Sequence, residues 1–388
     1  MFTKKILLYS KFIVSVCIFI TLSGCWNSLE LTDQVFVMGV SIDQTKEGII
    51  ELTTHMYSPS QTIGGQGGSA DTSTTFQITT QDESLFEAIR DIPLHVGRKA
   101  QWSHMRVILV GEDFARNNPL TDILDFFYRD HELRFKTYVL VTQGKASEYW
   151  GIKPFIERTT AQQIRTIQES GTAFSSKTKE TTILELALQL NYPVKTATVP
   201  YIELNKESVV TTGMAIVSDG KMLDRISTAN VHNLLILTNE YNHGTIQFPC
   251  MNEPKSTKKD SLEVTEIETK LTPNFSSTPY TIQVATSVEG HIGEFHCSKM
   301  TSEEERKRLQ AHIENSIKRQ LTTFIDEIQN KKMDLIGIGN ILYRKDPALW
   351  KSLEKDWSQV FSETQFEIDV TVNIESTGML TGENLAEG

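Results

Sequence analysis

TSEEERKRLQAHIENSIKRQLTTFIDEIQNKKMD (301–334) carries the strongest helical periodicity of the chain. Leu309, Ile313, Ile317, Leu321, Phe324, Ile325 and Ile328 recur at steps of three and four, which places them on one stripe of a helix. Glu303, Glu304 and Glu305 stand at the positive end of the helix dipole, Lys331 and Lys332 at its negative end. The pattern predicts a helix over 302–331 whose stripe is core, because a long helix laid across a small sheet buries one face along its length. Upstream, LEVTEIETKLTP (262–273) and YTIQVATSVEGHIGEF (280–295) alternate apolar and polar residues as two long strands. Downstream, Trp350, Leu353 and Trp357 share a helical face that reads as packing rather than as a binding surface. QFEIDVTVNIES (365–376) then alternates Phe366, Ile368, Val370, Val372 and Ile374 with polar residues, a half-buried strand. Two strands, a long helix, a short helix and a strand make this unit α+β.

Working toward the amino terminus, the polar break FPCMNEPKSTKKDS (248–261) separates a C-terminal domain, 257–388, from a small middle domain, 201–256. The middle domain holds the strand VVTTGMAIVSDG and then KMLDRISTANVHNLLILTN (221–239), read as turn and helix. Before it, 25–200 form an N-terminal sheet-and-helix domain. QVFVMGVSID (34–43) and GIIELTTHMYSP (48–59) pair as a hairpin across QTKEG. SQTIGGQGGSADTSTT (60–75) is a Gly-, Ser- and Thr-rich loop; no GK[ST] follows it, so a phosphate-loop reading fails. TFQITTQ is a strand, and DESLFEAIRDIPLHV (82–96) an amphipathic helix with Asp82 as its N-cap. HMRVILVGE (104–112) and KTYVLVTQGKA (136–146) are apolar strands separated by the helix PLTDILDFFYRD (119–130). TKETTILELALQL (178–190) is helical. The expected fold class is α+β, with three domains, each a mixed or antiparallel sheet flanked by helices. The last has the long helix packed on its sheet.

The first 24 residues read as an export signal rather than as structure. Lys4, Lys5 and Lys11 make a positive start, and FIVSVCIFITL (12–22) is an apolar run of 11 residues. A spanning helix needs ~20 residues. Leu22-Ser23-Gly24-Cys25 then resembles the bacterial lipobox, in which small residues admit the peptidase and the cysteine sulfur carries a diacylglycerol. Two or more acyl chains hold a protein stably on a bilayer, each buried methylene contributing ~0.8 kcal/mol. The mature chain is expected to begin at lipidated Cys25, on the outer face of a membrane.

The full chain of 388 residues has 38 Lys and Arg against 49 Asp and Glu. Losing the three signal lysines leaves 35 basic against 49 acidic residues, a net charge of −14. That argues against nucleic acid as a partner and against a polybasic patch on anionic lipid. With Cys17 removed and Cys25 acylated, Cys250 and Cys297 remain. Export permits a disulfide between them, and two separate buried thiols fit the sequence as well.

Chemistry is sparse. The sequence lacks a G-x-S-x-G elbow, HExxH, CxxC, an EF-hand loop and a Walker motif. His232 and His243 have no metal-ligand spacing. Ser103 and His104 are adjacent, and neighbours on a strand point to opposite faces. Arg129, Asp130, Glu132 and Arg134 crowd YRDHELR (128–134), an ion-pair corner or interface cluster rather than a ligand clamp. No catalytic residue, metal ligand or cofactor is assigned.

Several stretches together resemble one family, the spore germination receptor C subunits or Ger(x)C lipoproteins. They are CWNSLELTDQVFVMGVSID, WSHMRVILVGEDFA, FFYRDHELRFKTYVLVTQGKASE, GMAIVSDGKMLDRIS and DLIGIGNILYRKDPALWKSLEKDW, in the family's order. Departures are modest. Asn27 stands where an acidic residue is usual after Cys-Trp, His131 where Pro is common, and Asn118 where Gly is common. The resemblance implies three sheet-plus-helix domains and no enzymatic activity. It further implies a nutrient germinant receptor in the inner membrane of endospores, shared with two polytopic partners, the A and B subunits. Only Cys25 carries over as a functional residue. The alternative, a solute-binding lipoprotein of an envelope transporter, calls for two similar hinged α/β lobes, which the α+β C-terminal part does not offer.

Overall fold

The computed structural model describes residues 34–58, 75–129, 134–251 and 257–376, with a few single positions between 6 and 15. Its first sheet begins with the hairpin β1 (Gln34–Gln44) and β2 (Ile50–Tyr57), followed by β3 (Thr75–Asp82). Helices α1 (Leu85–Arg90) and α2 (Ile92–Val96) lead to the short β4 (Lys99–Gln101) and to β5 (Val107–Gly111). Next come α3 (Glu112–Asn117), α4 (Leu120–Arg129), β6 (Tyr138–Thr142), α5 (Thr160–Ser175) and α6 (Ile183–Asn191). The meander β7 (Thr196–Asn205), β8 (Ser208–Ser218) and β9 (Lys221–Ser227) completes this sheet, and α7 (Thr228–Leu237) follows. The second sheet contains β10 (Gly244–Pro249), β11 (Lys259–Asn274) and β12 (Thr281–Glu294). Then come α8 (Glu303–Asn330), α9 (Ile338–Lys345), α10 (Pro347–Leu353), α11 (Trp357–Glu363) and β13 (Gln365–Ser376).

The strand orders are β3-β2-β1-β5-β6-β7-β8-β9, with β4 beside β1, and β10-β11-β12-β13. β1, β5, β6 and β7 run parallel at the centre of the first sheet, with antiparallel hairpins on both flanks. VILVG and YVLVT are buried at every position, as central strands covered by helices on both faces must be. In the second sheet β13 pairs parallel to β12, so the chain crosses over through α8 to α11 before closing it.

The α+β architecture of mixed sheets with helices holds, and α8 lies on the second sheet as the periodicity predicts. All seven stripe residues are at most 2% exposed. Fully burying such side chains stabilises by ~1.5–3 kcal/mol each. Ser302 caps α8 by accepting from Glu305 N at 3.2 Å, and Lys331 ties its other end to Asp224 of β9 at 2.8 Å. The middle segment differs from expectation. It has no sheet of its own, because β7 pairs with β6 and carries β8 and β9 into the first sheet, while β10 pairs with β11. Three expected sheets are therefore two.

Local differences have local causes. The helix predicted over 82–96 is two, joined at Asp91, with Pro93 in the first turn of the second. A proline is tolerated there and nowhere deeper in a helix. The cap is Ser84, accepting from Phe86 N at 3.2 Å, while Asp82 accepts from Ser84 N at 2.9 Å. Lys221–Ser227, read as a turn, is β9, whose Met222 and Ile226 point inward while its other side chains stay outside the core.

His55 of β2 sits inside this first unit, stacked on Trp150 with ring centroids 4.9 Å apart and planes 4° from parallel. Neither ring nitrogen has a hydrogen-bond partner, and burial pushes its pKa down to about 4. The folded state thus binds fewer protons than the unfolded chain between about 4 and the ordinary 6.5. Stability from this site is complete above that window and is lost as pH falls through it. Moving from pH 7.5 to 5.0 should cost about 2 kcal/mol through His55 alone. Phenylalanine keeps the stack and cannot titrate, so His55→Phe is expected to flatten the loss by that amount in urea titrations at the two pH values. Equal slopes for both proteins would refute it.

Candidate functional site

The parallel arrangement of β1, β4, β5 and β6 puts the starts of these strands toward one edge of the first sheet. Cys25 lies outside the described residues, nine positions before Gln34, where β1 begins. Nine residues reach at most about 30 Å. Whatever holds Cys25 therefore keeps the start of β1 within that distance.

Arg106, just before β5, and Arg134 and Arg165 occupy the region. The Arg106 Nε is buried and has no hydrogen-bond partner among the described residues. Burial, then the guanidiniums of Arg165 and Arg134, push its pKa down. Arg165 Nε donates to Glu169 at 2.7 Å, and its guanidinium lies 4.8 Å from the Tyr138 ring centroid. Of the sequence-predicted cluster, Arg129 and Arg134 are described and Asp130 and Glu132 lie outside the described residues. Arg129 pairs within α4, its Nε 2.8 Å from Asp125 Oδ2 with both side chains largely exposed. An exposed i,i+4 pair of this kind contributes little to stability, because solvent screens it. Tyr128 and Phe135 close the corner with rings 5.1 Å apart. The loop predicted at 60–75 lies outside the described residues except for Thr75, the first residue of β3.

Cys250 follows β10 and Cys297 follows β12, and the two are bonded with Cα atoms 5.6 Å apart. Beside them is Asp260 of β11, 0% exposed. Its Oδ1 accepts from His296 N at 2.7 Å and Cys297 N at 3.3 Å, and its Oδ2 has no partner. Cys250, Asp260 and Cys297 are the one group among the described residues whose donor atoms cluster closely enough for a metal ion. Sulfurs joined to each other offer no thiolate, so in this state the group fits a covalent staple rather than a metal centre.

The other sequence candidates stay apart. Ser103 Oγ accepts from Gln101 Nε2 at 3.4 Å, whereas the His104 ring packs edge-on against Phe36. Trp350 and Trp357 are buried with rings 5.2 Å apart, as core. Two carboxylates that the sequence did not single out prove central. Asp43, at the end of β1, accepts from Ala146 N at 2.8 Å and Ser147 N at 2.9 Å, fixing the 3-10 turn Ala146–Gly151. Asp334, before α9, accepts from Ile338 N at 3.0 Å, Gly339 N at 2.7 Å and Trp357 Nε1 at 3.0 Å. Burial raises both pKa values, against the donors that lower them. Their acceptor atoms are consumed by structure. Both lie in stretches that carry the family resemblance, Asp43 ending CWNSLELTDQVFVMGVSID and Asp334 opening DLIGIGNILYRKDPALWKSLEKDW, and that was the signal that could have found them.

Comparison with known proteins divides the chain at β7 and β8, inside the first sheet. A model of the spore germination protein N-terminal domain matches residues 27–204, and one of the C-terminal part of spore germination B3/GerAC-like proteins matches 212–378. Spore germination protein KC of Bacillus subtilis (strain 168) is 23% identical over 397 residues, covering 97% of each chain. Spore germination protein B3 of the same organism is 21% identical, covering 95% of this chain and 98% of its own. Spore germination protein GerQC of Bacillus cereus is 21% identical, covering 95% and 99%. The crystal structure of the GerBC protein superposes with a TM-score of 0.53 over 90% of this chain and 100% of its own, at 18% identity, a likeness of fold.

Proposed function

Because this chain belongs to the GerAC-like family of spore germination proteins, we propose that it is a lipid-anchored, non-catalytic subunit of a nutrient germinant receptor. It acts with two polytopic membrane subunits, and a diacylglyceryl group on Cys25, with or without a further N-acyl chain, holds it on the outer face of the spore's inner membrane. The family match over nearly the whole exported chain carries this reading. Two further observations support it. The lipobox lies nine residues ahead of the first strand. Among the described residues no helix is long and apolar enough to cross a membrane.

The role is mechanical: a tethered body of two sheets offers its faces to membrane-embedded companions. The paired Cys250 and Cys297 staple the segments that follow β10 and β12 in the second sheet. A tagged chain extracted from spore membranes in mild detergent is expected to bring down two multi-spanning proteins in fixed proportion. Recovery of the chain alone, from membranes in which those proteins are present, would overturn the assignment.

A further inference from the structure

Between α7, β10 and α8 lies a cleft of about 770 Å³, within the size range of small-molecule sites. Its walls carry three cations from three distant segments, Lys177, Lys259 and Arg319, and not one carboxylate among the residues that line it. This contrasts with a chain whose acidic residues outnumber its basic ones by 49 to 38. Neither lysine has an ion-pair partner among the described residues, and Arg319 spends only its Nε, on the backbone oxygen of Asn315 at 3.3 Å. The remaining lining is rich in hydrogen-bonding side chains, including the nearly buried Asn233. His232 also faces the cleft, and its buried Nδ1 has no partner. Burial and the nearby Lys177 lower its pKa, so the imidazole is neutral at pH 7 and free to donate or accept.

The first turn of α7 forms part of the same wall through Thr228 and Ala229, and Ser227 gives it no side-chain cap. Helix starts leave backbone N–H groups unpaired and carry partial positive charge. Cations, uncapped amides and side-chain donors thus converge on one hollow with no carboxylate among its described lining residues, although Glu327 stands just behind it, its Oε2 accepting from Asn230 Nδ2 at 2.8 Å. Lone lysines on a convex surface are merely solvated. Here they border a concavity with a buried, unsatisfied polar atom in its wall, and such an atom costs free energy unless something binds it.

We propose that this cleft binds a small free anion bearing two or more negative charges, through carboxylate or phosphate oxygens held by Lys177, Arg319 and Lys259. His232 and Asn233 take the polar body of the same molecule. The named walls belong to this chain, so the site gives the subunit a solute of its own to respond to.

The test is isothermal titration calorimetry on the full chain in non-ionic detergent, with citrate, inorganic phosphate and L-glutamate as probes in sodium chloride of matched ionic strength. At least one probe is expected to bind saturably at one site per chain. Lys177→Gln and Arg319→Gln are each expected to weaken that affinity about tenfold, and the double variant to abolish it. Both side chains are exposed, so circular dichroism of the variants should be unchanged. No saturable binding of any of the three probes would overturn the proposal, as would unaltered affinity in the double variant.

Discussion

Cys25→Ala is expected to shift the protein from the membrane pellet to the soluble fraction almost completely, and to abolish the nutrient response of spores that depend on it. The physical reason is that little else holds the body down. Each methylene of an acyl chain contributes ~0.8 kcal/mol on burial, so two chains outweigh any contact a polar ectodomain makes with headgroups. The exported part carries a net −14, which anionic lipid repels. The apolar run that would stay behind in the variant has 11 residues, short of the ~20 needed to span. Mass spectrometry of the wild-type amino terminus should find a thioether-linked diacylglycerol on Cys25. Normal membrane fractionation of Cys25→Ala would sink the anchor.

Asp334→Ala should be the most damaging single change in the second unit, lowering its stability by about 3–5 kcal/mol. Three buried donors lose their acceptor at once: two amides opening α9 and the indole of Trp357. The surroundings have no room to compensate. A Cβ on Gly339 would come within 2.6 Å of Trp350, 2.7 Å of Val194 and 2.8 Å of Trp357, so the indoles already pack against bare backbone. Asp334→Asn keeps the volume but turns an NH2 toward an N–H, and should cost roughly half as much. Urea unfolding followed by tryptophan fluorescence reads both, and a loss below about 1 kcal/mol for the alanine variant would contradict this account.

How much of this was legible in sequence depends on the range of the interaction. α8 was readable because its stripe repeats over many turns, and β5 and β6 because short apolar runs between turn signals have few alternatives. The fate of the middle segment was not. Whether β7 starts a new sheet or extends the old one depends on Tyr201 finding Val141, a pairing that periodicity does not encode. Asp43 looks like any surface aspartate until Ala146 and Ser147 fold over it, and Asp334, bonded locally to the start of α9, is buried only when Trp357 packs on it. The cleft was hidden for a further reason. A net charge averages over the surface, and the −14 that argued against anionic partners says nothing of Lys177, Lys259 and Arg319 gathered from separate stretches.

The parallel seam between β12 and β13 has a consequence for biogenesis. Thr281 must find Gln365 across the whole of α8 to α11 before the second sheet is complete. A polypeptide threaded outward amino terminus first can assemble its anchored half early, but α8 keeps the part of its greasy stripe that β13 covers open until the last strand has emerged. Non-local pairings of this kind form slowly and leave intermediates prone to aggregation. A product cut short before β13 would therefore arrive at the cell surface with a partly unsheathed helix, a ready target for quality-control proteases, so only finished copies should survive to join the membrane.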